Sequence, residues 1–350
     1  MSTATDPALA PASASALSSP GAPGAGSAGP GRMPSGGQRS WVPTVARGGL
    51  VGSLLRSPKA VVGLTLMGIF ALLALLAPVL APGDPSTIGD LASEAPSAGH
   101  WLGTTAKGQD VLALTLWGAR SSLAVGFVVG TAATLIGVVV GLAGAYFGSV
   151  VDDVLSLVTN VFLLLPGLPL LVVLAAFLPP GAATVVLVLV VTGWAGSARV
   201  LRAQALSIRG KDFVAAAIVS GERAWRIMFR EILPNMASVV MGTFLACVIF
   251  GIGAQAGLEF LGLGDSSVVS WGTNLYWASN DGALMSGAWW AFVPSGISIA
   301  LVAFALALVN YGVDEVTNPR LRGGRRRRTS RATPRPVVVV RGAAAREVTR

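Results

Sequence analysis

The sequence predicts an all-α protein that crosses a membrane six times, and three observations carry that prediction. The first is composition: the 350 residues are 53% hydrophobic and only 12% charged, with a mean hydropathy of +0.69, values that belong to chains dominated by lipid-facing helices. The second is pattern, because the apolar residues fall into runs of about 20, the length a helix needs to cross the hydrocarbon core. The third is where the basic residues lie. They gather in tails and in alternate connections, so the formal net charge of +9 follows from topology and not from a nucleic-acid surface.

Taken in order, residues 1–58 read as a disordered cytoplasmic tail. Its Ala, Pro, Ser and Gly run "ALAPASASALSSPGAPGAGSAGPG" buries too little apolar area to offset chain entropy. It lacks the basic start and compact hydrophobic core of a cleaved secretory signal, so the first span serves as the targeting signal. Spans are predicted near 60–80, 123–147, 154–178, 182–203, 236–261 and 288–311. Residues 59–118 thus hold the first helix and an external segment, 119–312 a five-helix core with a cytoplasmic loop at 204–235, and 313–350 a basic cytoplasmic tail. Gly137, Gly141, Pro166, Pro169, Gly251, Gly253 and Pro294 lie inside the spans and mark packing seams or kinks.

Orientation follows from Lys and Arg, which stay on the cytoplasmic side. Arg32, Arg39, Arg47, Arg56 and Lys59 precede the first span; Arg199, Arg202, Arg209, Lys211, Arg223, Arg226 and Arg230 surround the central loop; arginines recur from Arg320 to Arg350. Between the first two spans stand only Lys107 and, at the mouth of the second, Arg120, and 264–287 holds no basic residue. Both termini are therefore expected in the cytoplasm, with "GGRRRRTSR" as a juxtamembrane anchor to anionic lipid.

Few residues carry chemistry. Cys247 is the single cysteine and His100 the single histidine, which excludes an intramolecular disulfide, a cysteine metal cluster and a histidine-rich zinc site. Cys247 reads as a small core residue and His100 as a solvated loop residue. Glu259, near the end of the fifth span, reads as a solvated group at the membrane edge. A phosphate-binding loop is missing too: the Gly210–Lys211 pair is followed by Asp212 and preceded by Ala205 where glycine is required.

The central loop contains "DFVAAAIVSGERAWRIMFREILPN", 212–235. Asp212 is placed to cap a short helix in which Ala215, Ala216 and Ala217 leave a bare flank that another protein can approach. Gly221 breaks it. A second helix sets Trp225, Met228, Phe229 and Ile232 at spacings of three and four, with Arg223, Arg226 and Arg230 opposite, until Pro234 stops it. On physics alone such a piece could equally lie on the lipid surface.

This stretch resembles the EAA coupling loop of binding-protein-dependent ABC importers, a short helix followed by glycine and later by an "LP" pair. The resemblance narrows to the C-type permease of the dipeptide, oligopeptide and nickel importers. It does so through "HWLGTTAKGQDVLALTLWGARSSLAVG" from His100, "GAYFGSVVDDVL" from Gly144, "LPGLPLLVVLAAFL" from Leu165, "GLEFLGLG" from Gly257, "SWG" from Ser270 and "NPRLR" from Asn318. Together these cover roughly 60–322 in one order. The resemblance implies a type I ABC importer permease fold in the cell membrane, a homologous second permease, two ATP-binding subunits that hold ATP and magnesium, and an extracytoplasmic binding protein. No cofactor is expected in this chain. It also implies that Asp212, Phe213, Ala215, Ala216, Ala217, Gly221, Arg230, Glu231, Leu233 and Pro234 belong to the surface gripped by the ATPase, and that closure of the ATPases pulls the 213–220 helix.

The chain departs from that pattern at four positions. Ala215 stands where glutamate usually opens the EAA triplet, Glu231 where histidine often precedes "ILP", Gln255 where a glutamate is common, and Gln109 where arginine is frequent. A lost carboxylate at 215 removes one charge-assisted contact of about 1.5–3 kcal/mol if that contact is desolvated. Import of nickel or a metal chelate is the alternative within transport, with His100, Asp90, Glu94 and Asp110 as a sparse metal funnel. A membrane-embedded enzyme or a non-transporting scaffold is the alternative outside it, and ionisable groups within the spans, which such an enzyme needs, are nearly absent.

Overall fold

The computed structural model describes residues 57–317. The expectations for the two tails, including Arg32, Arg39, Arg47, Arg56 and the 318–322 motif, lie outside the described residues. Helix α1, Pro58–Leu80, opens with a proline where no N–H is needed. Helix α2 runs over Val111–Phe147, α3 over Ser149–Leu164, α4 over Gly167–Phe177 and α5 over Ala182–Arg209. Helix α6, Asp212–Val219, and a mixed segment to Asn235 lead into α7, Ala237–Phe260; then come α8, Trp271–Asn280, and α9, Val293–Thr317. Among the described residues the one extended pairing is an isolated bridge between Thr104 and Asp110.

Five stretches are long and apolar enough to cross a membrane, and six if the bent pair α3–α4 counts as one span. That pair corrects the sequence reading, which took 154–178 as continuous. The two helices meet at 87°, because Pro166 drives Leu165 out of helical geometry (ψ 134) and has no N–H to continue the ladder. The second span also differs, beginning at Val111 and not near 123. Its 37 residues extend about 55 Å, well beyond the hydrocarbon thickness. Asp110 starts it by accepting hydrogen bonds from the N–H groups of Leu112 (2.7 Å) and Ala113 (3.1 Å).

Helix α2 is the central post, packed against α5 and α7, while α9 packs along α1 and α7. Small residues permit these approaches. A Cβ on Gly141 would stand 2.8 Å from the Arg202 nitrogen of α5, and one on Gly251 of α7 3.1 Å from Val129. Gly130 meets Val248, and a Cβ on Gly63 would stand 2.6 Å from the Ala305 carbonyl oxygen. In a bilayer, where apolar burial gives helices little reason to associate, such close fits supply the attraction. Gly253 is not a seam, since a Cβ there meets nothing within 4 Å, and Pro294 lies in the first turn of α9 and makes no kink.

Candidate functional site

The segment 212–235 sits at the end of the bundle where the arginines of α5 lie. Helix α6 starts with Lys211 at the cap position and no side-chain cap bond, so Asp212 is not the cap the sequence suggested. It occupies the first turn instead, where its charge suits the helix dipole. Val214 is fully buried, whereas Phe213, Ile218 and Val219 are exposed. Of the three alanines, Ala215 and Ala216 form an open flank, while Ala217 packs against the apolar cluster beneath.

Gly221 ends α6 with a φ of +74. The Gly221 N–H donates to the Ile218 carbonyl at 3.0 Å and the Glu222 N–H to the Ala217 carbonyl at 3.2 Å, the paired bonds that close a helix through a left-handed residue. The chain then turns into a piece that is α-helical at Ala224–Arg226, π-helical at Ile227–Ile232 and α-helical again at Leu233–Asn235. Pro234 therefore does not stop this piece. The proline has no N–H and its ring clashes with the carbonyl four residues back; the wide π turn absorbs both defects, and the break falls at Met236, ψ 11.

The π turn also changes which side chains face inward. Ile227, Ile232 and Met236 are fully buried and Met228 is 8% exposed, the first two being five residues apart as a π turn requires. Trp225, expected on that face, is 67% exposed and stacks on Phe229 with ring centroids 3.9 Å apart. The buried set packs with Val214 onto Leu142 and Ala145 of α2 and Leu201, Ala205 and Ile208 of α5. The elbow is thus bonded through its apolar side to the ends of two spans.

Its outer side carries Arg223, Arg226 and Arg230, all exposed, with Arg226 Nη1 3.1 Å from Glu222 Oε2. They and Gly221, Trp225 and Phe229 wall a concavity of about 770 Å³. Glu231 is half-buried and its carbonyl accepts from Asn235 Nδ2 at 2.6 Å; Leu233 packs at the edge of the cluster, and Pro234 is exposed. Every residue singled out in the sequence here belongs to this one protrusion. The segment thus joins a buried apolar base, packed on α2 and α5, to an open surface of arginine and alanine through a glycine turn.

A family model described as binding-protein-dependent transport system inner membrane component matches residues 133–323, more than half of the chain. The chain belongs to that family. A second model, the N-terminal TM domain of oligopeptide transport permease C, matches residues 51–96 of this permease. Similar proteins include the dipeptide transport system permease protein DppC of Bacillus subtilis (strain 168), 33% identical over 77% of this chain and 84% of the relative. The oligopeptide transport system permease protein OppC of the same organism is 31% identical over 76% and 88%. Among solved structures, inward-facing conformations of the MetNI methionine ABC transporter match 58% of this permease and 94% of that chain at 19% identity and a TM-score of 0.46.

The opposite end of the permease corrects two readings. Glu259 is not solvated; it is 8% exposed, accepts from Gln255 Nε2 at 2.9 Å and from Ser270 Oγ. Ser270 in turn caps α8 by accepting from the Thr273 N–H at 3.0 Å, so this carboxyl ties the last turn of α7 to the first of α8. The sequence signal lay in the replacement at Gln255: the acid sits four residues, one helical turn, further on. His100 is paired as well, with Nδ1 2.8 Å from Asp110 Oδ2. Lys107 Nζ lies 3.0 Å from the centroid of the Trp277 ring and 3.9 Å from Asp281, joining the two outer connections. Outside the spans, hydrogen bonds from the hydroxyl and main-chain N–H of Ser86 and Ser267 hold Asp84 and Asp265 below the usual carboxylate range. Cys247 is buried, as a small core residue should be.

Proposed function

We propose that this permease is one half of the membrane pathway of an ATP-driven importer for di- and oligopeptides, with the 212–235 elbow on the cytoplasmic side as the handle gripped by a separate ATPase. The relatives named for dipeptide and oligopeptide transport support the cargo. The asymmetry of Lys and Arg supports the orientation, with Pro58 and Thr317 at cytoplasmic helix ends. A second permease, two ATP-binding subunits carrying ATP and magnesium, and an external binding protein complete the machine.

The observation that carries the reading is the two-sided build of the elbow: its apolar side is locked to α2 and α5, and its other side offers a bare alanine flank and three exposed arginines. Closure of the ATPases displaces α6, Gly221 preserves the angle to the π segment, and the packed helices move as bodies between outward-facing and inward-facing arrangements. The test is reconstitution of all subunits in liposomes with a labelled peptide. ATP- and binding-protein-dependent uptake is expected, and Ala216→Arg, which fills the bare flank, should release the ATP-binding subunits while the permease still inserts. Normal uptake and normal subunit recovery with Ala216→Arg would contradict the assignment.

A further inference from the structure

Helix α3 buries only Thr159, and most of its apolar side chains, among them Val150, Val154, Leu157 and Leu164, are exposed. Apolar packing therefore does little to fix it, and a row of polar and aromatic ties joins it to α5 instead. Arg202 Nε and Nη2 donate to Asp152 Oδ1 and Oδ2, both at 2.5 Å. Arg199 Nη2 donates to Asn160 Oδ1 at 2.7 Å, and Phe162 meets Trp194 edge to face with ring centroids 5.3 Å apart. The Asp152–Arg202 contact is the two-pronged, charge-assisted kind, which fixes direction as well as distance. Charged groups kept within spanning helices mark a working part more often than packing.

The same stretch of α5 carries the elbow. Leu201, Ala205 and Ile208 belong to the apolar cluster beneath it, whereas Arg202 and Arg209, seven residues apart, share a second face about a quarter-turn round the helix. Arg209 Nη1 donates to the Ala145 carbonyl in the last turn of α2 at 2.8 Å, and Arg202 holds Asp152 in the first turn of α3. The two arginines thus clasp both sides of the corner at Gly148 and Ser149, whose φ values of +61 and +45 turn α2 into α3. Gly144 makes room for the ion pair, since a Cβ there would stand 3.0 Å from Asp152 Oδ1.

We propose that Asp152 and Arg202 are positioning residues of the transport cycle: their ion pair makes α3, the elbow-side arm of the bent span, follow α5 when the elbow is displaced. This rests on the ATPase-gripped elbow proposed above. The 87° bend between α3 and α4 interrupts the helical ladder that would otherwise carry movement along the span, so the load on α3 falls on its ties to α5. Removal of the pair leaves one hydrogen bond, at Asn160, and one ring contact, at Phe162. The elbow and α5 then still move with the ATPase while α3 lags, and ATP is hydrolysed without the matching change in the membrane pathway.

The complete complex with its binding protein, placed in liposomes, gives two readouts. The first is labelled peptide taken up per ATP hydrolysed. Asp152→Asn should lower that ratio at least about ten-fold, with ATP hydrolysis and subunit recovery near wild type. Arg202→Lys keeps the charge without the two-pronged fork and should fall between, and Asp152→Arg combined with Arg202→Asp should recover part of the ratio. A pair that only stabilises the fold would lower uptake and hydrolysis together, in step with the complex recovered; that result overturns the proposal, as does a wild-type ratio in Asp152→Asn. The second readout needs no peptide. Spin labels are attached at Leu157→Cys of α3 and Leu206→Cys of α5, both exposed, while Cys247 is buried. Their separation should stay constant to within about 2 Å when ATP is trapped, and should broaden when Asp152→Asn is added. A larger shift without that substitution, or an unchanged narrow separation with it, overturns the proposal. A complex that hydrolyses ATP but imports no peptide contradicts the peptide reading alone, because the label separation still decides the role of the pair. A permease that recruits no ATP-binding subunit overturns both.

Discussion

Replacing Gly221 by valine should uncouple the permease without unfolding it. Gly221 has a φ of +74, a region where L-residues are disfavoured by about 1–2 kcal/mol and β-branched residues stand at the costly end. A Cβ there meets nothing within 4 Å, so no clash adds to the backbone cost. The penalty of about 2 kcal/mol corresponds to roughly a 30-fold shift away from the elbow. The paired bonds from Gly221 and Glu222 to Ile218 and Ala217 are lost with it, and the arginine surface leaves its fixed angle to α6. Asparagine tolerates this conformation and should be nearly silent, with alanine intermediate. The assay is peptide uptake and peptide-stimulated ATP hydrolysis in proteoliposomes, with membrane insertion followed by accessibility labelling. Activity should fall in the order Gly, Asn, Ala, Val at constant insertion. Full uptake by Gly221→Val would show that the elbow angle does not matter and would refute the reasoning.

Other substitutions test other parts of the structure. Glu259→Ala removes the acceptor shared by Gln255 and Ser270 and should destabilise the permease by about 2 kcal/mol, seen as a lower melting temperature in detergent, while Glu259→Gln loses less. Gly130→Leu drives a side chain into Val248 and should prevent recovery of folded protein, whereas Gly253→Leu, facing open space, should melt like the wild type. Ile232→Ala empties a fully buried site under the elbow; a cost of about 2–4 kcal/mol should appear as faster proteolysis at 212–235 and weaker peptide stimulation of ATP hydrolysis.

Much of this architecture was legible from hydropathy and charge, because a bilayer forces every spanning segment to satisfy its own backbone and so makes spans visible as apolar runs. The elbow was legible because glycine at 221 and the arginines at 223, 226 and 230 break the apolar pattern in a cytoplasmic-type connection. What escaped depends on three-dimensional neighbours. The bend at Pro166 was hidden by uniform apolarity on both sides of it. The early start of α2 was hidden by Thr115, Arg120 and Ser121, which lower local hydropathy, although Asp110 before "VLALTL" is a readable helix start. The π turn shifts the buried positions from Trp225 to Ile227, and a 3.6-residue template cannot show that. Glu259 looked solvated because Gly264, Ser270 and Gly272, which close over it, lie beyond the end of α7.

The central claim is that another protein grips the elbow. A photo-crosslinker attached at Ala216→Cys tests it directly, since this position is exposed and Cys247 is buried. In the assembled complex the adduct should form with an ATP-binding subunit, and its yield should change when ATP is replaced by ADP. Adducts with lipid alone, unchanged by nucleotide, would contradict the account.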